Sequence, residues 1–293
     1  ALKELIMLII ENDFLKIELN KHGACLKSIF DKRKNKELLY QPDGNSWSGQ
    51  DVVIFPVIAA LKNHSYKVDG KSYSLKNHGL IRYNDVYLVN QTEGEITLGF
   101  DDNEETLKLY PFKFHFEVTY KLENDKISIK YHVINKNDKT MYFSVGGHPA
   151  LGVNLINKEF ENVVIEVDGV FHKQYLLNEE GSQIVGERNI NISGYKKLSK
   201  EEITAYHTLI YDARNVKLIK LNINDNCFIF DVLNAPVVAI WSMEQTGNFI
   251  CIEPWWGLPD YDIPEEEISK KKEIIELDPQ NKFETSYSIT VLK

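Results

Sequence analysis

Phe112-Lys113-Phe114-His115-Phe116-Glu117-Val118 puts its aromatics and Val118 on one side of an extended chain, and Lys113, His115 and Glu117 on the other. The same period of two returns in Ile127-Ser128-Ile129-Lys130-Tyr131-His132-Val133, and Glu123-Asn124-Asp125 between the two runs is a hairpin turn signal. This stretch predicts half-buried antiparallel strands. A second hairpin is predicted at Asp69-Gly70, between Tyr66-Lys67-Val68 and Ser72-Tyr73-Ser74-Leu75. Helical signals are sparse. Ser199-Lys200-Glu201-Glu202 has the pattern of a capping box opening a short helix to Tyr206. Residues 265–272 place three acids before three lysines, as a helix dipole prefers, although the same charges suit a solvated surface turn. Strand signals run from start to finish, with no internal repeat, low-complexity tract or long linker. The reading is all-β: two large antiparallel sheets packed face to face as a β-sandwich with few short helices, in one domain over residues 1–293.

A chain of 293 residues, 43% hydrophobic and 11% aromatic, can bury a sizeable core without disulfides or metals. Its formal net charge of -9 argues against nucleic acid, whose phosphates demand a basic face. Cys25, Cys227 and Cys251 are odd in number, far apart and without C-x-x-C spacing, so each reads as a small buried hydrophobe in a reducing compartment. The apolar run at residues 1–10 is too short to span a membrane and has no small-residue cleavage site after it; the run at 52–61 is short and interrupted by Pro56. A cytoplasmic location without a membrane partner is the expectation.

Chemistry concentrates in Asn248-Phe249-Ile250-Cys251-Ile252-Glu253-Pro254-Trp255-Trp256-Gly257. Pro254 disfavours helical dihedrals at Glu253 and holds it extended or turn-like. Burial among Ile252, Trp255 and Trp256 raises a carboxyl pKa and improves it as a base near neutrality, while the flat rings suit a sugar. A strand-end glutamate also serves as a solvated residue or a turn anchor. Among eight histidines, His115 and His132 alternate with polar neighbours and face solvent; His22, His172 and His207 take no role, and His64 lies in a loop. His148 differs: after the strand Met141-Tyr142-Phe143-Ser144-Val145, Gly146-Gly147-His148-Pro149-Ala150 is expected to turn sharply, with Pro149 restricting His148 as Pro254 restricts Glu253. A fixed imidazole there is a candidate general acid, or a hydrogen-bonded corner of the fold. Lys76-Asn77-His78-Gly79-Leu80-Ile81-Arg82 offers an amide, an imidazole and a guanidinium to a polyhydroxylated ligand.

Together, Asn77-His78-Gly79 with Arg82, Gly146-Gly147-His148-Pro149-Ala150 and Cys251-Ile252-Glu253-Pro254-Trp255-Trp256-Gly257 resemble the aldose 1-epimerase family in order and spacing. The chain looks like a galactose-mutarotase-like protein of the bacterial branch called LacX-like, over nearly its whole length. The resemblance implies a β-sandwich with a sugar site on a concave face, and interconversion of α and β anomers of an aldohexose without a cofactor or metal. Glu253 would take the proton from the anomeric hydroxyl and His148 would protonate the ring oxygen, the roles reversing on closure. His78, supported by Asn77 and Arg82, would position the sugar; Trp255, Trp256 and Trp47 can face its C–H surface, with core packing the simpler role for at least one. The implied partner is a small aldose, with the protein a monomer or homodimer. One departure stands out. The branch carries Gly-Arg after the first Pro-containing segment, where the arginine contacts sugar hydroxyls, but Phe55-Pro56-Val57-Ile58 is followed by Ala59-Ala60. Loss of that donor weakens binding or alters which hydroxyls are read, with His64 or Lys62 as substitutes.

The departure keeps a catalytically weak sugar-binding or regulatory homologue in view. A hexose-6-phosphate 1-epimerase shares the chemistry, but Arg33, Arg82, Arg188 and Arg214 form no cluster in sequence. A glycosidase needs a second carboxylate, for which Asp260 is the candidate. A metal site from His64, His78 and His148 lacks short-range ligand spacing.

Overall fold

The computed structural model describes residues 7–152, 162–244 and 247–293. Residues 1–6 of the amino-terminal apolar run lie outside the described residues; the run continues as the strand Leu8–Glu11. The opening stretch forms the strand Phe114–Glu123, which pairs antiparallel with Lys126–Asn135 through the tight turn at Asn124-Asp125. Phe114, Phe116, Val118, Ile127, Ile129 and Val133 are fully buried on one face. Their alternate partners His115 and His132 lie half-buried on the other, bonded to Asp101 and Glu117 and to Glu284 respectively. The Asp69-Gly70 hairpin joins Ser65–Val68 to Lys71–Ser74, both turn residues taking positive φ as a two-residue hairpin requires.

Among the described residues strand accounts for 53% and helix for 8%, giving the all-β class. The hydrogen bonding joins what the periodicity leaves as two sheets: fifteen strands lie in one antiparallel sheet, and a four-stranded sheet of Leu8–Glu11, Leu15–Leu19, Leu26–Asp31 and Lys36–Glu37 lies apart from it. Leu15 and Ile17 from the small sheet share one apolar cluster with Tyr120, Ile129, Ile165 and Ile219 from the large one, so both bury their faces in a common core. Ser199 caps the helix Lys200–Tyr206 by accepting the Glu202 N–H at 3.1 Å. Residues 265–272 yield only the 3-10 turn Ile268–Lys270. The helix Glu104–Leu109 escapes the pattern reading; Asn103 accepts the N–H groups of Glu105 and Thr106, and the Thr106 hydroxyl answers as the other half of a capping box. Among the described residues, no helix is long and apolar enough to cross a membrane.

Two corrections bear on the site. The strand expected through Val145 breaks at Ser144, whose N–H goes to the Pro56 carbonyl at 2.7 Å. Met141–Phe143 therefore pairs with Ile275–Leu277, while Val145–Gly147 enters the large sheet between Val53–Ile54 and Ile250–Trp256. No sharp turn follows. Gly146 sits opposite Trp255 and Ala150 opposite Cys251, so the register runs unbroken across His148-Pro149 and sets His148 against Glu253.

Candidate active site

Glu253 lies inside its strand, not at the end of it: Ile250–Trp256 is buried at every position and sits in the middle of the local order, with Val145–Gly147 on one side and Val237–Trp241 on the other. Period-two geometry sorts the side chains. Ile250, Ile252 and Trp256 join the main core, and the Trp256 indole donates to the Asn234 carbonyl at 2.7 Å, so Trp256 is the structural tryptophan of the set. Cys251 and Trp255 turn the other way, into a second apolar cluster with Trp47 and Phe249, and Glu253 shares their side of the strand. Ala239, its cross-strand neighbour, leaves the carboxyl room.

The imidazole Nε2 of His148 approaches Glu253 Oε1 to 3.3 Å, both side chains being almost fully buried. Close approach of their strands depends on the paired glycines. A Cβ on Gly146 would meet Trp255 at 2.8 Å, and one on Gly147 would meet the Tyr287 hydroxyl at 2.3 Å. Neither glycine takes positive φ, so space rather than backbone freedom explains them. Around His148, Trp47 packs at 4.9 Å between centroids, Trp241 edge-on at 5.3 Å and His78 edge-on at 5.4 Å.

His78 arrives from the other edge. Gly79 bridges Phe55, whose carbonyl accepts the Leu80 N–H and whose backbone would collide at 2.2 Å with any Cβ on Gly79. The His78 N–H donates to the Ala59 carbonyl at 3.0 Å, and the Ala59 N–H donates back to His78 Nδ1 at 3.1 Å. Nδ1 is thus an acceptor, which leaves the proton on Nε2 and makes His78 a neutral donor.

Burial governs the charge states. It pushes the Glu253 carboxyl well above its ordinary value; the Trp255 indole N–H, short of hydrogen-bond geometry, draws it only partly back, and Asp51 adds to the rise. Burial lowers His148 to about 3, with the Arg82 charge adding to it, and holds His78 well below the usual imidazole range, where His148 and Arg82 contribute. His148 Nδ1, Glu253 Oε2 and Trp255 Nε1 are buried and make no hydrogen bond within the protein. Three such atoms at one place suit a ligand rich in hydroxyls.

They border a cavity of 340 Å³ that also collects Trp47, Asn77, His78 and Arg82, so all seven sequence candidates meet there. Ala59 and Ala60 are on its wall. Neither proposed substitute for the missing arginine is: His64 faces a separate cavity beside Ser74 and Leu109, and Lys62 pairs with Asp262 at 2.5 Å. Asp260 is bound to the Lys62 N–H at 3.0 Å and to Lys271, away from the Glu253 cavity, which removes it as a second carboxylate. The separation of His64 likewise dissolves the three-histidine metal set. Trp241, Met243, Gly181, Ser182 and Thr208 complete the wall and carry no motif in the sequence. Asp51 is another silent contributor: fully buried and raised to about 6, it accepts the Leu26 N–H at 2.9 Å, and the His148 N–H helps to hold its charge.

The model of the aldose 1-epimerase family matches residues 7–255. The chain belongs to that family. Among curated relatives of this family member is the chromosomally encoded protein LacX of Lactococcus lactis subsp. lactis, 26% identical over 97% of this chain and 98% of its own. A galactose mutarotase related enzyme from Lactobacillus acidophilus superposes with a TM-score of 0.92 at 31% identity, covering 98% of both chains. A galactose mutarotase-like protein from Lactobacillus casei superposes with the same score at 25% identity, over 98% of this epimerase-family chain and all of the other. The two structural likenesses are to galactose-mutarotase-related proteins.

Proposed function

We propose that the protein interconverts the α and β anomers of an aldohexose, with Glu253 and His148 as the proton-exchanging pair. The observation that carries this reading is their cross-strand contact of 3.3 Å at a cavity also lined by a second imidazole, His78, whose Nε2–H is left as a donor. Ring opening needs one proton taken from the anomeric hydroxyl and one given to the ring oxygen. A carboxyl and an imidazole in contact hold one such proton between them and titrate as a unit. Without polar partners burial favours the uncharged form, with the proton on Glu253. Sugar hydroxyls beside the orphaned polar atoms favour the carboxylate–imidazolium form, in which Glu253 is the base and His148 the acid. Rotation about the first carbon–carbon bond of the open aldehyde, followed by the reverse transfers, delivers the other anomer. His78 Nε2–H and Arg82 donate to the sugar, Asn77 supports their loop, and Trp47 and Trp255 offer ring surface.

Polarimetry tests the reading. The protein should accelerate the rotation decay of freshly dissolved α-D-glucose or α-D-galactose, and Glu253→Gln or His148→Asn should abolish the acceleration. A wild-type rate equal to buffer with several aldoses and their 6-phosphates overturns it. Ala60 favours a second reading, a sugar-binding protein with poor turnover; hexose binding by calorimetry without mutarotation would select it. A phosphorylated sugar is less well served, because Arg82 is the one guanidinium on the cavity wall among the described residues.

A further inference from the structure

The mechanism leaves Cys251 unused. It is fully buried, reduced and two residues before Glu253 on the same side of the strand. Its Sγ, an imidazole nitrogen of His148 and a carboxylate oxygen of Glu253 all lie within 4.8 Å of one another, the single such grouping of potential metal donors among the described residues. Thiolate, imidazole and carboxylate together form a zinc-type donor set. A tetrahedral ion with Zn–N and Zn–O bonds of about 2.0–2.1 Å separates those two donors by about 3.3–3.4 Å. The His148–Glu253 contact already measures 3.3 Å. The second oxygen of Glu253 and the second nitrogen of His148 make no hydrogen bond in the protein, so neither side chain is locked to another partner there.

We propose that Cys251, His148 and Glu253 form an inhibitory site for one thiophilic divalent cation of the zinc class, with the fourth position open to water from the cavity. Cys251 binds as thiolate, its proton leaving to solvent, with a sulfur–metal bond of about 2.3 Å. The ion occupies the lone pairs through which the pair exchanges protons, so it silences the reaction without excluding the sugar from the outer cavity. The inhibitory half rests on the epimerase reading; the binding half does not.

The test titrates the full chain with Zn²⁺ by calorimetry and with Co²⁺ by absorption, alongside mutarotation. Expected are one Zn²⁺ per chain at this site, a thiolate–cobalt charge-transfer band, and loss of mutarotation that a chelator restores. Cys251→Ala should remove the band, weaken the site at least tenfold and keep mutarotating at Zn²⁺ concentrations that silence the wild type. Cys251→Ser, checked with it by thermal unfolding, guards against a packing defect. Equal Zn²⁺ affinity in wild type and both variants, or cobalt binding without the band, overturns the site. Full mutarotation with Zn²⁺ saturating the thiolate site overturns its inhibitory role. Because calorimetry and the cobalt spectrum need no sugar, a chain that binds the ion but never epimerises defeats only the functional reading.

Discussion

Glu253 and His148 pull stability in opposite directions with pH. The carboxyl rises well above its ordinary 4.5 on folding, so above that pH the folded chain holds a proton that the unfolded chain releases. Its contribution is therefore complete below about pH 4.5 and is lost as pH rises toward the elevated value. His148 falls from 6.5 to about 3, so its contribution is present above 6.5 and is lost as pH drops through that window. Glu253→Gln removes the first effect and keeps the second. The variant should melt higher than wild type at pH 7, by an amount worth on the order of 1 kcal/mol or more, the range for relieving a buried polar mismatch. The gap should close as pH falls to about 4.5. Melting curves that coincide at both pH values would show that the carboxyl is not held protonated by its surroundings. On the proposed mechanism the gain would come with loss of mutarotation, a trade of stability against function.

Two short strand segments on either side of His148-Pro149 act as a single element because their register against Ile250–Trp256 is continuous. Proline has no N–H to give the ladder, and the His148 N–H is turned to Asp51, so the gap falls where this chain has no donor for its neighbour. Gly147 fixes how near this element comes to Tyr287. Gly147→Ala puts a methyl 2.3 Å from the phenol oxygen, and the strand or the ring must move. The expected cost is about 1–3 kcal/mol of stability, with mutarotation reduced about 10²-fold through displacement of His148. Unchanged kcat in the folded variant would show that the glycine does not position the imidazole. Elements of this kind divide into those legible in sequence and those that are not. The hairpins at Asp69-Gly70 and Asn124-Asp125 are local, so alternation and turn chemistry suffice to find them. The break at Ser144 is set by a hydrogen bond to Pro56, and no window of sequence contains both partners.

Across the whole molecule the cavity gathers residues from position 47 to position 255, and its legibility follows the same division. Glu253, His148 and His78 stand in distinctive local settings and are found from those. Trp241 ends an ordinary apolar run and Asp51 precedes another, and both acquire their places only when distant strands pair. The continuous order of the large sheet, which brings the Val53–Ile54 edge beside Val145–Gly147, also sets Ala59 and Ala60 against the site. Ala59 holds φ at 54°, a left-handed value that costs a side chain about 1–2 kcal/mol, so the backbone keeps a glycine-like shape although the expected Gly-Arg pair is absent. The loop is therefore already placed to project a longer side chain from position 60. In a molecule with net charge -9, a guanidinium there would oppose no cationic surplus and would add donors for sugar hydroxyls. Ala60→Arg should lower the KM for mutarotation about tenfold, the value of one or two added charge-assisted hydrogen bonds, with kcat changed far less because the proposed proton-exchanging pair is untouched. A KM that stays constant or rises, in a variant that melts like wild type, would mean that this cavity reads its sugar through Arg82 and His78 without a donor from that wall.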